Sequence, residues 1–150
     1  MLYVSFIYHL NCDFFRLNCV ETAKLLLQRG ANPALISTNG STALHFAARR
    51  GNEEVAELLV HYARVDVNSK DSAHMTALHL ACVSGNATIL KMLLKQGADI
   101  RAKSTELMSP LHTAVYNGNS EVVALILQAG GWPFPNEPFD RKISDVVCSS

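Results

Sequence analysis

The chain has 150 residues, of which 13 are basic and 13 acidic, so its formal net charge at pH 7 is zero. With no overall field to draw it to nucleic acid or to an anionic membrane surface, any partner must be chosen by local patches, and no nucleic acid is expected. Charged residues make up 17% and apolar residues 49%, a composition able to bury a sizeable core but short of solvated surface.

Cys12, Cys19, Cys82 and Cys148 have neither C-x-x-C spacing nor a paired histidine motif. That argues against a zinc site or a redox pair, and for a reducing compartment, so a cytoplasmic location is expected. Residues 1–10 are apolar but lack a basic flank and a small-residue cleavage site, and they are too short to span a bilayer. Neither a signal peptide nor direct membrane insertion is expected.

Residues 1–20 mix aromatic and apolar side chains without a clean period. Pattern starts at Glu21: the stretch to Arg29 predicts a helix with an acid in its first turn, a base in its last and Gly30 as its C-terminal stop. Asn39-Gly40 then predicts a turn, and Thr42 caps a short helix of small residues ending at Gly51. Glu53 and Glu54 open a second helix with Val55, Leu58 and Leu59 on one stripe.

The same text recurs. Thr42-Ala43-Leu44-His45, Thr76-Ala77-Leu78-His79 and Ser109-Pro110-Leu111-His112 are separated by 34 and 33 residues, and each is followed by its own Gly-Asn pair, Gly51-Asn52, Gly85-Asn86 or Gly118-Asn119. A fixed period of this length predicts an array of helix pairs, none able to bury both faces alone, stacked on their neighbours. In register the units fall at about 4–36, 37–70, 71–103 and 104–136, the first legible only in its second half. The extra residue of the 34-residue interval is expected in the connecting loop Arg64–Asn68.

These three strings resemble ankyrin repeats, and the resemblance covers residues 21–131. It implies an all-α solenoid of helix-turn-helix units joined by hairpin-like loops, an array over 1–131 followed by a proline- and aromatic-rich cap or tail at 132–150. It also implies a non-catalytic scaffold or adaptor that binds a protein partner on its concave face. Residues 104–115 and the Val65–Asn68 loop further resemble the cytosolic ankyrin arrays of transient receptor potential channels of the A type, which makes a segment of a larger membrane protein the alternative. A ubiquitin-ligase adaptor would use residues 132–150, where no convincing motif stands.

The outward position of the second helices is Lys24, Glu57, Lys91 and then Ala124, so the helix from Val122 to Leu127 is apolar nearly all round and should be covered. Either the tail from Trp132 covers it or further ankyrin repeats do. Because neither end has the polar outer face of a terminal repeat, a piece of a longer array, or an unusual splice of one, is expected.

His45, His79 and His112 tempt a metal reading. Helices 8–10 Å apart cannot converge three imidazoles on one ion at bonds of about 2 Å. What the resemblance implies is that each ring braces its own Thr/Ser-x-Leu-His turn. No nucleophile with a base, phosphate-cradling glycine loop or paired carboxylates stand in the sequence, so neither an enzyme nor a cofactor is expected. Cys82 shares its position with Ala48 and Val115 and is expected buried and inert. The sequons at Asn39 and Asn86, and Arg141-Lys142-Ile143-Ser144, are short enough to arise by chance.

Mapping the concave groove by register gives Thr38, Asn39, Ser41, Arg49 and Arg50, then Ser72, Ala73, Met75, Val83 and Ser84, then Thr105, Glu106, Met108, Tyr116 and Asn117. Arg49, Arg50, Met75, Met108 and Tyr116 carry the expectation of binding best, since these residue types are enriched at interfaces. His74 and Leu107 occupy the loop position that Gly40 holds in the preceding unit, where a glycine with positive φ is usual. Either those loops turn differently or their exposed side chains serve a contact. Val83, Glu106 and Asn117 complete the candidate partner-binding set.

Overall fold

A computed structural model describes residues 20–62 and 64–132. The opening stretch, Cys12, Cys19, Cys148, the proposed cap beyond Trp132 and the Arg141–Ser144 string lie outside the described residues. Within them the chain is helical, with no strand. Among the described residues are seven α-helices: α1 (Val20–Gln28), α2 (Ala43–Arg50), α3 (Glu53–Glu57), α4 (Ala77–Ser84), α5 (Ala87–Lys95), α6 (Pro110–Tyr116) and α7 (Ser120–Gln128). None exceeds nine residues, a length marginal for an isolated helix in water. Packing must therefore supply their stability.

It does so in two layers. α2 packs on α4 and α4 on α6, while α1, α3, α5 and α7 stack in the same sequence behind them. Small residues at the contact, Ala47, Ala48 and Ala81, are fully buried and let the front helices approach closely. Leu59, Leu93 and Ile126 take the same buried place in successive back helices, each contributing about 2 kcal/mol of apolar burial. Lys24, Glu57, Lys91 and Ala124 all face solvent at the outward position, as their register predicts.

Thr42, Thr76 and Ser109 each form a capping box with the histidine three residues on. The Thr42 and Thr76 amides donate to Nδ1 of His45 and His79 at 3.1 and 3.2 Å. A ring nitrogen that accepts an amide carries no proton, so the hydrogen of each imidazole sits on Nε2. From there His45 donates to the Met75 carbonyl and His79 to the Met108 carbonyl, both at 3.0 Å. Each ring thus braces its own turn and also staples it to the following loop.

The loops themselves are hairpin-like turns stacked edge to edge. The Ser37, Asp71 and Ser104 carbonyls accept from Gly40, His74 and Leu107, and the Ser72 and Thr105 amides donate across to the Asn39 and Ala73 carbonyls of the loop before. His74 and Leu107 adopt φ of 55° and 60°, against 72° for Gly40, so the turn is kept and the strain accepted. A bulky residue there costs about 1 kcal/mol or more. Asp71 and Ser104 offset it by accepting two loop amides each, from Ala73 and Met75 and from Glu106 and Met108.

One expectation is corrected. The extra residue of the 34-residue interval lies in the helix after α3, where Leu58–Tyr62 winds as a π-helix, and not in the Arg64–Asn68 loop. The cap geometry locates it. Leu26, Leu93 and Ile126 stand four residues before a left-handed glycine, Gly30, Gly97 or Gly130, whereas Leu59 stands five before Arg64, which takes that role at φ 49°. The closing bonds agree: Ala31, Ala98 and Gly131 donate to Leu26, Leu93 and Ile126, but Val65 reaches back to Leu59 at 3.4 Å. Widening the helical turn keeps Leu59 in the core, which a residue added before it would have rotated out.

Candidate functional site

On the front layer, at the step between α4 and α6, side chains from two successive units converge around a hollow of about 320 Å³. Met75 and Met108 come from the loops preceding the two helices and Val83 and Tyr116 from the helix ends; Glu106, Thr105 and Asn117 form a polar margin. The position of the two methionines follows from the staples. Their carbonyls are held by His45 and His79, so their half-buried side chains are presented from fixed backbone. Tyr116 is 71% exposed and Val83 36%. Such a cluster is more apolar than ordinary solvated surface.

Six of the candidate residues therefore meet in one place: Met75, Val83, Glu106, Met108, Tyr116 and Asn117. Arg49 and Arg50 do not line it; they are exposed one unit earlier, at the end of α2. Nor do His74 and Leu107, which stand at the tips of the loops, Leu107 being 75% exposed. Among the other mapped positions Ser41 is buried, which removes it from the groove. Ser84 is exposed, yet its hydroxyl is engaged with the Ala48 and Ala81 carbonyls.

Register missed Ser104 and Thr113, both of which line the hollow. A signal for Thr113 existed. It stands where α2 and α4 carry Phe46 and Leu80, and replacing a large apolar side chain by threonine leaves room at the surface of α6. Its hydroxyl is turned back to the Ser109 carbonyl at 3.2 Å.

Two features that invite chemistry are structural. Burial pushes the Cys82 thiol up, far from thiolate formation at neutral pH. Burial likewise holds His45 and His79 below the ordinary histidine value, against the opposing pull of the carbonyls they donate to. Among the described residues no three His, Cys, Asp or Glu side chains are grouped to hold a metal ion, and no helix is long and apolar enough to cross a membrane. A larger hollow of about 580 Å³ lies beside the π-helical turn, walled by the Arg64–Asn68 loop. Asn68 there already bridges to the Gly97 carbonyl and the Asp99 amide and so ties this loop to the next unit.

A family profile described as "Ankyrin repeats (3 copies)" matches residues 14–104 and 64–134. The chain belongs to the ankyrin repeat family. It is 41% identical over 81 residues to the human "Transient receptor potential cation channel subfamily A member 1", covering 54% of this chain and 7% of the channel. To the human "Protein phosphatase 1 regulatory subunit 27" it is 37% identical over 79 residues, 53% of this chain and 51% of that protein. "Delta-latroinsectotoxin-Lt1a" of Latrodectus tredecimguttatus is 32% identical over 94 residues, 62% of this chain and 8% of the toxin. The chain thus spans from less than a tenth to about half of these relatives. Ankyrin repeats are non-catalytic modules that generally mediate protein–protein interaction, and the exposed apolar step between α4 and α6 is consistent with that role.

Proposed function

We propose that this chain is a protein-interaction module whose binding face is the hollow between α4 and α6 and the loop tips beside it. The observation that carries the reading is Tyr116, an aromatic residue left largely exposed where Met75, Val83 and Met108 converge. An exposed aromatic and half-buried methionine side chains around a small hollow are the pattern of an interface centre, where a few residues carry most of the affinity. His74 and Leu107 belong to the same face as exposed tips. Neither a cofactor nor a catalytic step is part of this reading, and a cytoplasmic setting fits it.

The similarity to the channel supports a second reading, in which these residues are part of the cytosolic ankyrin array of a larger membrane protein. The two share the same binding face. Whether the flanking gene sequence encodes six apolar spans downstream separates them.

The binding face is tested by Val83→Asp combined with Tyr116→Ala. Partners identified by affinity purification and mass spectrometry should be captured at least tenfold less well, while the chain keeps its helical circular dichroism and a cooperative urea transition, Tyr116 being largely and Val83 partly exposed. Unchanged capture would place binding elsewhere.

A further inference from the structure

We infer that the segment received at this face is an extended acidic peptide, with a carboxylate three or four residues from a bulky apolar anchor. The anchor seats against Val83, Met108 and Tyr116, and the carboxylate meets Arg49 and Arg50. The inference rests on the binding face proposed above and specifies what that face selects.

Three observations carry it. Arg49, Val83 and Tyr116 hold the same place in α2, α4 and α6, so they form a row across the steps of the stack. The row is physically continuous, because the Ser84 hydroxyl donates to the Ala48 carbonyl at 2.9 Å and ties the end of α4 to the end of α2. Both arginines are exposed, and no carboxylate among the described residues pairs with either.

Charge is distributed unevenly along this row. Arg49 and Arg50 stand exposed one unit before the hollow along the row, while the exposed Glu106 stands on its margin. A ligand carboxylate is attracted to the arginines and repelled at Glu106, which fixes the order of its groups relative to the stack. Neighbouring helices lie about 8–10 Å apart, so the hollow, midway between α4 and α6, is about 12–15 Å from α2; an extended chain covers that in about four residues at 3.3 Å each, or about three with the arginine side chains reaching toward it. The apolar surface is confined to one step, with Ser84 and the arginines next to it. That suits a single anchor, whereas a docking helix would need an apolar stripe over several turns.

The test selects random 12-residue displayed peptides on the full chain. The expected consensus places Asp or Glu three or four positions from Phe, Leu, Met or Trp. A synthetic peptide of that consensus, followed by fluorescence polarisation, should lose about five- to tenfold in affinity with Arg49→Glu/Arg50→Glu, and recover most of it when its own acid is changed to Lys. Absence of any enriched peptide, a consensus without an acid or with one seven positions away, or an affinity indifferent to the arginine change would overturn the inference. Self-association in sedimentation that Tyr116→Ala abolishes would overturn it too, by making a second copy the occupant. The underlying face is read separately: if Val83→Asp/Tyr116→Ala binds the peptide as wild type does, the face itself is wrong, whereas loss of binding there with indifference at the arginines removes only the acidic specificity.

Discussion

His79 donates its Nε2 hydrogen to the carbonyl of Met108, 3.0 Å away in the next unit, and the side chain of that same methionine lines the candidate binding hollow. His45 repeats the relationship with Met75. The internal bracing and the outward face therefore meet at two backbone positions. Each staple sets where a groove residue stands.

Removing a staple should cost stability. His79→Ala takes away a fully buried ring and leaves the Thr76 amide and the Met108 carbonyl without their partner. A loss of about 3 kcal/mol is expected by urea denaturation. His61→Ala, on an exposed residue, should stay within about 0.5 kcal/mol.

The same two histidines give a pH dependence. Burial lowers both below 6.5, so the folded chain binds fewer protons than the unfolded chain once the pH falls beneath that value. Stability is complete above about 6.5 and declines as the pH drops from there toward the lowered folded values. Denaturation midpoints at pH 7.5 and 5.0 check this; equal midpoints would show that the two rings take up protons in the folded chain as readily as in the unfolded one.

Glycine should be favoured at the loop tips. Leu107 holds φ of 60° with most of its side chain in solvent, so Leu107→Gly relieves strain and removes little packing. A gain of about 0.5 kcal/mol is expected, the relief being partly offset by the greater freedom of glycine in the unfolded chain. A thermal melt showing a clear loss would mean that the leucine packs in solution.

Two glycines with the same backbone should answer differently to alanine. Gly85 and Gly118 have φ of 70° and 72°, but a Cβ at Gly85 would stand 2.8 Å from Oδ1 of Asn119, while Gly118 has nothing within 4 Å. Asn119 could swing aside only by giving up its bond to the Cys82 carbonyl at 2.7 Å. Gly118→Ala should cost about 1 kcal/mol from the backbone alone and Gly85→Ala about 1 kcal/mol more, read from paired urea curves.

The sequence by itself determined the architecture, because a recurring Thr-x-Leu-His turn, a Gly-Asn stop and an apolar stripe are local signals that each unit repeats. It also determined which groove positions are exposed, apart from the buried Ser41 and the half-buried Met75 and Met108, since register carries exposure from one unit to the next. What only the tertiary structure decided involves distance between units. The second bond of His45 and of His79 reaches the following loop. The π-helical turn at Leu58–Tyr62 exists because Leu59 must stay in the core while the cap moves one residue on. The convergence of Met75, Val83, Met108 and Tyr116 on one step depends on how α4 and α6 stack. Periodicity places residues on a face; it contains no term for the gap between two faces, and the hollow is that gap.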